Sequence, residues 1–86
     1  MIDGVKIVKL TKHKDERGFF QEIFRFKEQF KSVPVGQLSH SLVQEGVIKG
    51  WHGHLYQSQW NYVVTGQMRV ALYDERPNSS TYKEIM

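Results

Sequence analysis

Apolar and polar residues alternate along this chain in short runs separated by Gly, Pro, Asn and Ser, a period of two that predicts strands and no helix of ordinary length. Residues 5–10, Val-Lys-Ile-Val-Lys-Leu, alternate imperfectly and predict an edge strand, with Lys6 and Lys9 discouraging stray pairing. A turn is predicted over 12–18. Residues 19–26 then place Phe20, Phe24 and Phe26 on even positions with Glu22 among them, a strand pattern whose aromatic face is simplest read as core. A helical turn fits 27–31 ahead of Val33-Pro34, since a residue before proline avoids the α region.

The second half of the chain continues in strands. Residues 37–44 carry polar Gln37, Ser39 and Ser41 on one face, while Leu38 and Leu42 lie on the other; one side packs and the other is open to line a pocket. Further strands are predicted over 47–54, 60–65 and 67–73, with Thr65-Gly66 as a tight hairpin turn. Residues 74–80, Asp-Glu-Arg-Pro-Asn-Ser-Ser, read as a loop, and 81–86 begin another element. No internal repeat is expected. Several short strands with turn signals between them predict an all-β antiparallel sandwich or barrel.

Composition narrows the classes. A chain of 86 residues has one domain, 1–86, as its ceiling. It is 40% hydrophobic and 13% aromatic, enough for a core, with no run approaching the roughly 20 apolar residues of a membrane span. The first ten residues carry too short an apolar run for a secretory signal. Zero cysteines exclude a disulfide framework and thiol chemistry and agree with a cytoplasmic location. The net charge of +3 is scattered among acids, so no nucleic-acid stripe is expected, although the positive balance suits an anionic ligand such as a nucleotide diphosphate.

Chemistry concentrates in residues 46–66, GVIKGWHGHLYQSQWNYVVTG. In an extended chain His52 and His54 share a side with Gly50 and Ile48, so two imidazoles aim at one pocket. The spacing of Gly46, His52, His54, Gln59 and Gly66 resembles the first motif of the cupin superfamily, in which two histidines and a glutamate often hold a divalent metal inside a small barrel. Here Gln59 stands at the carboxylate position, a weaker ligand, and His40 is the one upstream candidate for a fourth. No metal site and no cofactor are assigned.

Three blocks in order point to a narrower resemblance: DERGFFQEIFR at 15–25, QLSHS at 37–41 and KGWH at 49–52. Together they resemble the dTDP-4-dehydrorhamnose 3,5-epimerase family from about residue 9 to 82, matching its amino-terminal half. The resemblance implies a jelly roll of the cupin type and proton abstraction next to the ketone of a dTDP-linked 4-keto-6-deoxy sugar, in deoxysugar biosynthesis of the rhamnose type. His52 stands at the position of the family's base, a role that imidazole, with a usual pKa of roughly 6.5, can fill at cellular pH. Lys49 matches the basic residue before that histidine and is expected to meet substrate charge. Arg17 and Glu22 match residues that contact the diphosphate and the nucleoside, and Gln37 and Ser39 match a segment that reaches the nucleotide.

Two departures stand out. The family's active-site lysine, seven residues before the hairpin glycine, is Gln59 here, and no residue is assigned to the proton-returning tyrosine or to the acid that orients the histidine. The pairing of His52-Gly53-His54 with Gln59 also resembles the sugar-nucleotide 3,4-ketoisomerases, in which two histidines spaced by one residue share acid and base work; Gln59 would then hold the sugar or a histidine. A non-catalytic cupin that binds a sugar nucleotide is the third alternative. Half a jelly roll leaves edges and an apolar face uncovered, so a homodimer is expected.

Overall fold

The computed structural model describes residues 1–25, 27 and 36–86. The chain divides into two units, one formed by Met1–Gln21 with Tyr62–Met86 and the other by Glu22–Asn61. In the first unit, β1 (His13–Asp15) pairs antiparallel with β2 (Gly18–Phe20), in the register His13 with Phe20, Lys14 with Phe19 and Asp15 with Gly18. The turn expected over 12–18 is therefore only Glu16-Arg17, and the strand expected over 19–26 stays paired only as far as Phe20.

The reason lies in Asp15. Its carboxylate accepts the Arg17 backbone N–H at 2.8 Å and the Arg17 Nη2 at 2.6 Å, which closes the chain on itself two residues on. Across the pair, the His13 and Phe20 rings lie 6.4 Å apart, and the Lys12 ammonium sits 4.3 Å from the centre of the Phe19 ring. Both strands are exposed, so the hairpin is held by its turn and these edge contacts.

The same tripeptide, Asp-Glu-Arg, returns at 74–76 and folds the same way. Asp74 Oδ1 accepts the Arg76 backbone N–H at 3.1 Å and Arg76 Nε at 2.8 Å, while Oδ2 accepts Arg76 Nη2 at 2.8 Å. Here the carboxylate is buried, at 3% residue exposure, and it also receives the Ser79 hydroxyl at 2.6 Å and the Thr81 hydroxyl at 2.7 Å. A buried charge is tolerated only with such a full set of donors. Arg76 Nη2 reaches on to the Asp3 carbonyl at 2.7 Å, and the Asp3 N–H donates to Thr81 Oγ1 at 3.0 Å, so the amino-terminal segment is tied to this loop. Beside it, a turn from Ile2 to Val5 is closed by the Val5 N–H on the Ile2 carbonyl, with Gly4 at φ 88°, a conformation that favours glycine. Ile2 is the one buried hydrophobic side chain among the described residues.

The loop expected over 74–80 is thus the most heavily bonded segment described. The element expected to begin at 81–86 turns back onto the chain: Leu72 and Met86 exchange backbone hydrogen bonds at 2.8 and 3.0 Å, and the Asp74 N–H donates to the Glu84 carbonyl at 3.0 Å. Tyr73 and Ile85 form the bridge between them. In the same unit the Tyr62 hydroxyl donates to Gln21 Oε1 at 2.9 Å.

The second unit combines one contact between its ends with local turns. The Phe24 and Trp60 rings meet edge to face at 5.8 Å, and the Val47 N–H closes a turn on the Gln44 carbonyl, with Gly46 at φ 78°. The helical turn expected over 27–31 lies outside the described residues apart from Lys27. The strands expected over 5–10, 37–44, 47–54 and 60–65 form no ladder among the described residues, and that over 67–73 contributes only the Tyr73 bridge. At Thr65-Gly66 the chain bends, with Gly66 at φ 83°, but its flanks do not pair. Period-two alternation marks a chain ready to pair; a strand forms only where a partner supplies the other half of each hydrogen bond. Leu38 and Ile48, at 93% and 94% exposure, show that the apolar faces these segments carry are uncovered. The structure is mostly exposed, with a two-stranded antiparallel sheet, which is consistent with an all-β fold. Among the described residues no helix is long and apolar enough to cross a membrane.

Arg76, with help from Ser79, Thr81 and the backbone, holds the Asp74 carboxyl well below the usual aspartate value of 3.8, against the opposing effect of desolvation. A folded pKa below the unfolded one adds stability that is present above the usual value and is lost as pH falls below it. Asp74→Asn removes that charge and should speed exchange of the Leu72 and Met86 amide protons about tenfold or more near neutral pH, with the variant's exchange less sensitive to acid than wild type's. Unchanged protection would rule the network out as a source of stability. At the first hairpin, Asp15→Asn keeps an acceptor for the Arg17 backbone N–H, whereas Asp15→Ala does not. Nuclear Overhauser contacts between His13 and Phe20 should survive in the first variant and weaken in the second.

Candidate functional site

The residues singled out by sequence fall in both units and are all exposed. Arg17 stands at the tip of the β1–β2 hairpin with its side chain 85% exposed. Asp15 grips one edge of the guanidinium through Nη2, at 2.6 Å, and Nε, at 3.4 Å. This pairing raises the Arg17 pKa and, with the backbone N–H of Arg17 as second contributor, lowers that of Asp15. Arg76, held in the same way, spends its outer donor on Asp3 and Ser79. Arg17 has no such protein acceptor among the described residues, so its outer edge stays available for an anion such as phosphate.

In the unit Glu22–Asn61, short-range contacts organise the polar groups. Glu22 accepts Arg25 Nε at 2.6 Å. Gln37 Nε2 donates to Ser39 Oγ at 2.9 Å, which places together two residues of one face of the alternating segment 37–44. Lys49 Nζ donates to the Leu42 carbonyl at 3.4 Å, a long contact that leaves most of its donor capacity unspent.

His54 is the best-contacted of the two motif histidines. The chain bends at Leu55-Tyr56, and Gln57 and Gln59, on one side of the returning segment, bring both amide nitrogens to His54 Nε2, at 3.4 and 2.8 Å. His52 makes no hydrogen bond among the described residues, to His54 or to anything else. Because 47–54 forms no ladder, the common aim of His52 and His54 does not follow here from strand alternation; the bend at 55–56 is what orders His54. Among the described residues no three His, Asp or Glu side chains gather as a metal would require.

Sequence reasoning missed two partners. The turn expected over 12–18 contains Asp15 without singling it out as the group that holds Arg17, although acid and arginine two apart before a glycine is a turn signal in its own right. Gln57 joins Gln59 at His54, a pairing the motif alone does not suggest, although the two glutamines share a side in an extended chain.

The sequence profile of the family described as dTDP-4-dehydrorhamnose 3,5-epimerase matches residues 1–86. The chain is 46% identical over 84 residues to the spore coat polysaccharide biosynthesis protein SpsL of Bacillus subtilis, covering 98% of this chain and 55% of that protein. It is 30% identical over 86 residues to a Haloferax volcanii protein named "Probable low-salt glycan biosynthesis epimerase Agl13", covering 98% of this chain and 54% of that one. To the dTDP-4-dehydrorhamnose 3,5-epimerase of Methanothermobacter thermautotrophicus it is 33% identical over 88 residues, covering 96% and 48%. The chain thus spans about half the length of these curated relatives. No solved structure matches it. With the profile matched from the first residue to the last, the chain belongs to the dTDP-4-dehydrorhamnose 3,5-epimerase family.

Proposed function

We propose that this chain carries the nucleotide-binding and proton-abstracting part of a sugar-nucleotide isomerase, within a single cupin domain of jelly-roll type over residues 1–86, acting in the cytoplasm on a dTDP-linked 4-keto-6-deoxy sugar. The family match over the whole chain, with His52 in the KGWH block, is the observation that carries this reading.

His52, with both ring nitrogens uncommitted among the described residues, takes a proton from the carbon next to the ketone. The C–H electron pair enters the new carbon–carbon double bond and the carbonyl pair moves onto oxygen. That oxyanion needs donors. Lys49 supplies charge near it, while Arg17 takes the diphosphate, Glu22 the nucleoside, and Gln37 with Ser39 the remaining polar edge of the nucleotide. Return of the proton to the opposite face of the same carbon gives epimerisation; its return to the former carbonyl carbon, with the hydroxyl proton of the first carbon passing to the oxyanion so that the ketone moves by one carbon, gives ketoisomerisation. The bond between His54 and Gln59 favours the second outcome, because it engages the two residues that the epimerase pattern leaves unexplained.

The exposed apolar residues Leu38, Ile48, Leu55 and Tyr56, each at least 89% exposed, need a cover, and a second copy of the chain is the partner proposed. Sedimentation equilibrium at micromolar concentration should give twice the mass of one chain; a monomer would count against this.

The reaction is read by proton NMR of dTDP-4-keto-6-deoxyglucose in deuterated water. Exchange at both C3 and C5 indicates an epimerase site and exchange at C3 alone a ketoisomerase. No exchange, with the ligand lines still broadened, leaves a non-catalytic binder and overturns the enzymatic reading. His52→Asn should lower the exchange rate by about a hundred- to ten-thousand-fold with binding retained. Arg17→Ala should weaken thymidine diphosphate binding by about ten- to a hundredfold and flatten its dependence on salt; wild-type affinity would remove Arg17 from the diphosphate site.

A further inference from the structure

An amide nitrogen only donates, so an imidazole nitrogen facing one must offer a lone pair. His54 Nε2 faces two, Gln59 Nε2 at 2.8 Å and Gln57 Nε2 at 3.4 Å. A neutral imidazole has one such lone pair and carries its proton on the other nitrogen. We infer that Gln59, assisted by Gln57, fixes His54 as its Nδ1–H tautomer and so makes it a hydrogen-bond donor to the substrate oxygen, leaving proton abstraction to His52. The donor role rests on the isomerase reading above; the tautomer does not.

The chemistry assigns the two histidines different work. With Nε2 occupied, His54 has no lone pair to accept the carbon-bound proton, whereas His52 has one. When that proton moves to His52, the electron pair it leaves behind ends as charge on the carbonyl oxygen. A neutral N–H donor stabilises this charge without any co-reactant. Gln59 stands where the resembled family has its lysine. In this chain the glutamine therefore meets the need for a donor indirectly, by setting which nitrogen of His54 carries hydrogen. His54 touches the reacting oxygen, and Gln59 is a positioning residue that acts through it.

Long-range proton–nitrogen correlation spectra of the full chain, labelled with nitrogen-15 histidine, test this directly. Only four histidines contribute, and His54→Asn identifies the His54 signals. Near pH 8, wild type should show Nδ1 protonated and Nε2 as an acceptor, the reverse of the preference of a free histidine side chain. Gln59→Glu places a carboxylate, which only accepts, at the same nitrogen and should move the proton to Nε2. In the substrate-exchange assay the same variant should lower kcat by about a hundred- to a thousandfold with little change in KM, as loss of one oxyanion donor does. A protonated Nε2 in wild type, or a tautomer indifferent to Gln59→Glu, overturns the inference even if the substrate exchanges. The expected tautomer without any exchange at C3 or C5 overturns the donor role together with the isomerase reading, and upholds the tautomer alone.

Discussion

A buried carboxylate must be answered by donors, and Asp74 is answered by Arg76, Ser79, Thr81 and a backbone N–H at once. In a structure where Ile2 is the one buried hydrophobic side chain described, this charge network takes over part of what a core normally does. Through Arg76 and Thr81 it binds Asp3, distant in sequence, to the loop that joins 72–74 with 84–86. The cost of an unpaired charge falls on the buried member: removing Arg76 would leave the Asp74 carboxylate with fewer donors, whereas the Arg76 side chain, 56% exposed, can turn to water.

The two Asp-Glu-Arg segments show how context divides one local motif between structure and function. Each aspartate captures the backbone N–H and the side chain of the arginine two residues later, and each thereby sets a turn. At 74–76 the outer donor of the arginine is consumed by Asp3 and Ser79, so the motif is a brace. At 15–17 nothing described consumes it, and the same geometry presents a fixed cation at a hairpin tip. The histidine block follows a related logic, since Gln57 and Gln59 settle the bonding of one imidazole while the other stays uncommitted.

Much of the candidate site is legible in the residues because its contacts are short in sequence. Arg17 meets Asp15 two residues away, Gln37 meets Ser39 two away and His54 meets Gln59 five away, all within reach of a single turn or bend. Turn chemistry at 15–18 and the glycines at 46 and 66 were readable for the same reason, as positive φ at Gly46 and Gly66 shows. The hairpin's true bounds were less so: His13–Asp15 looks like loop by composition, and it becomes a strand because the tight turn places it opposite Gly18–Phe20.

By itself the sequence determined the family, through blocks at 15–25, 37–41 and 49–52, and the local chemistry available to each block. It also determined which segments are able to be strands, since alternation is a property of neighbouring residues. Only the tertiary structure decided which of them pair, because a ladder needs a partner that no single segment encodes. It alone decided that Asp74 is buried and Asp15 exposed, although both begin the same tripeptide, because burial depends on what the rest of the chain brings alongside: Asp3, Ser79 and Thr81 for one, and open solvent for the other.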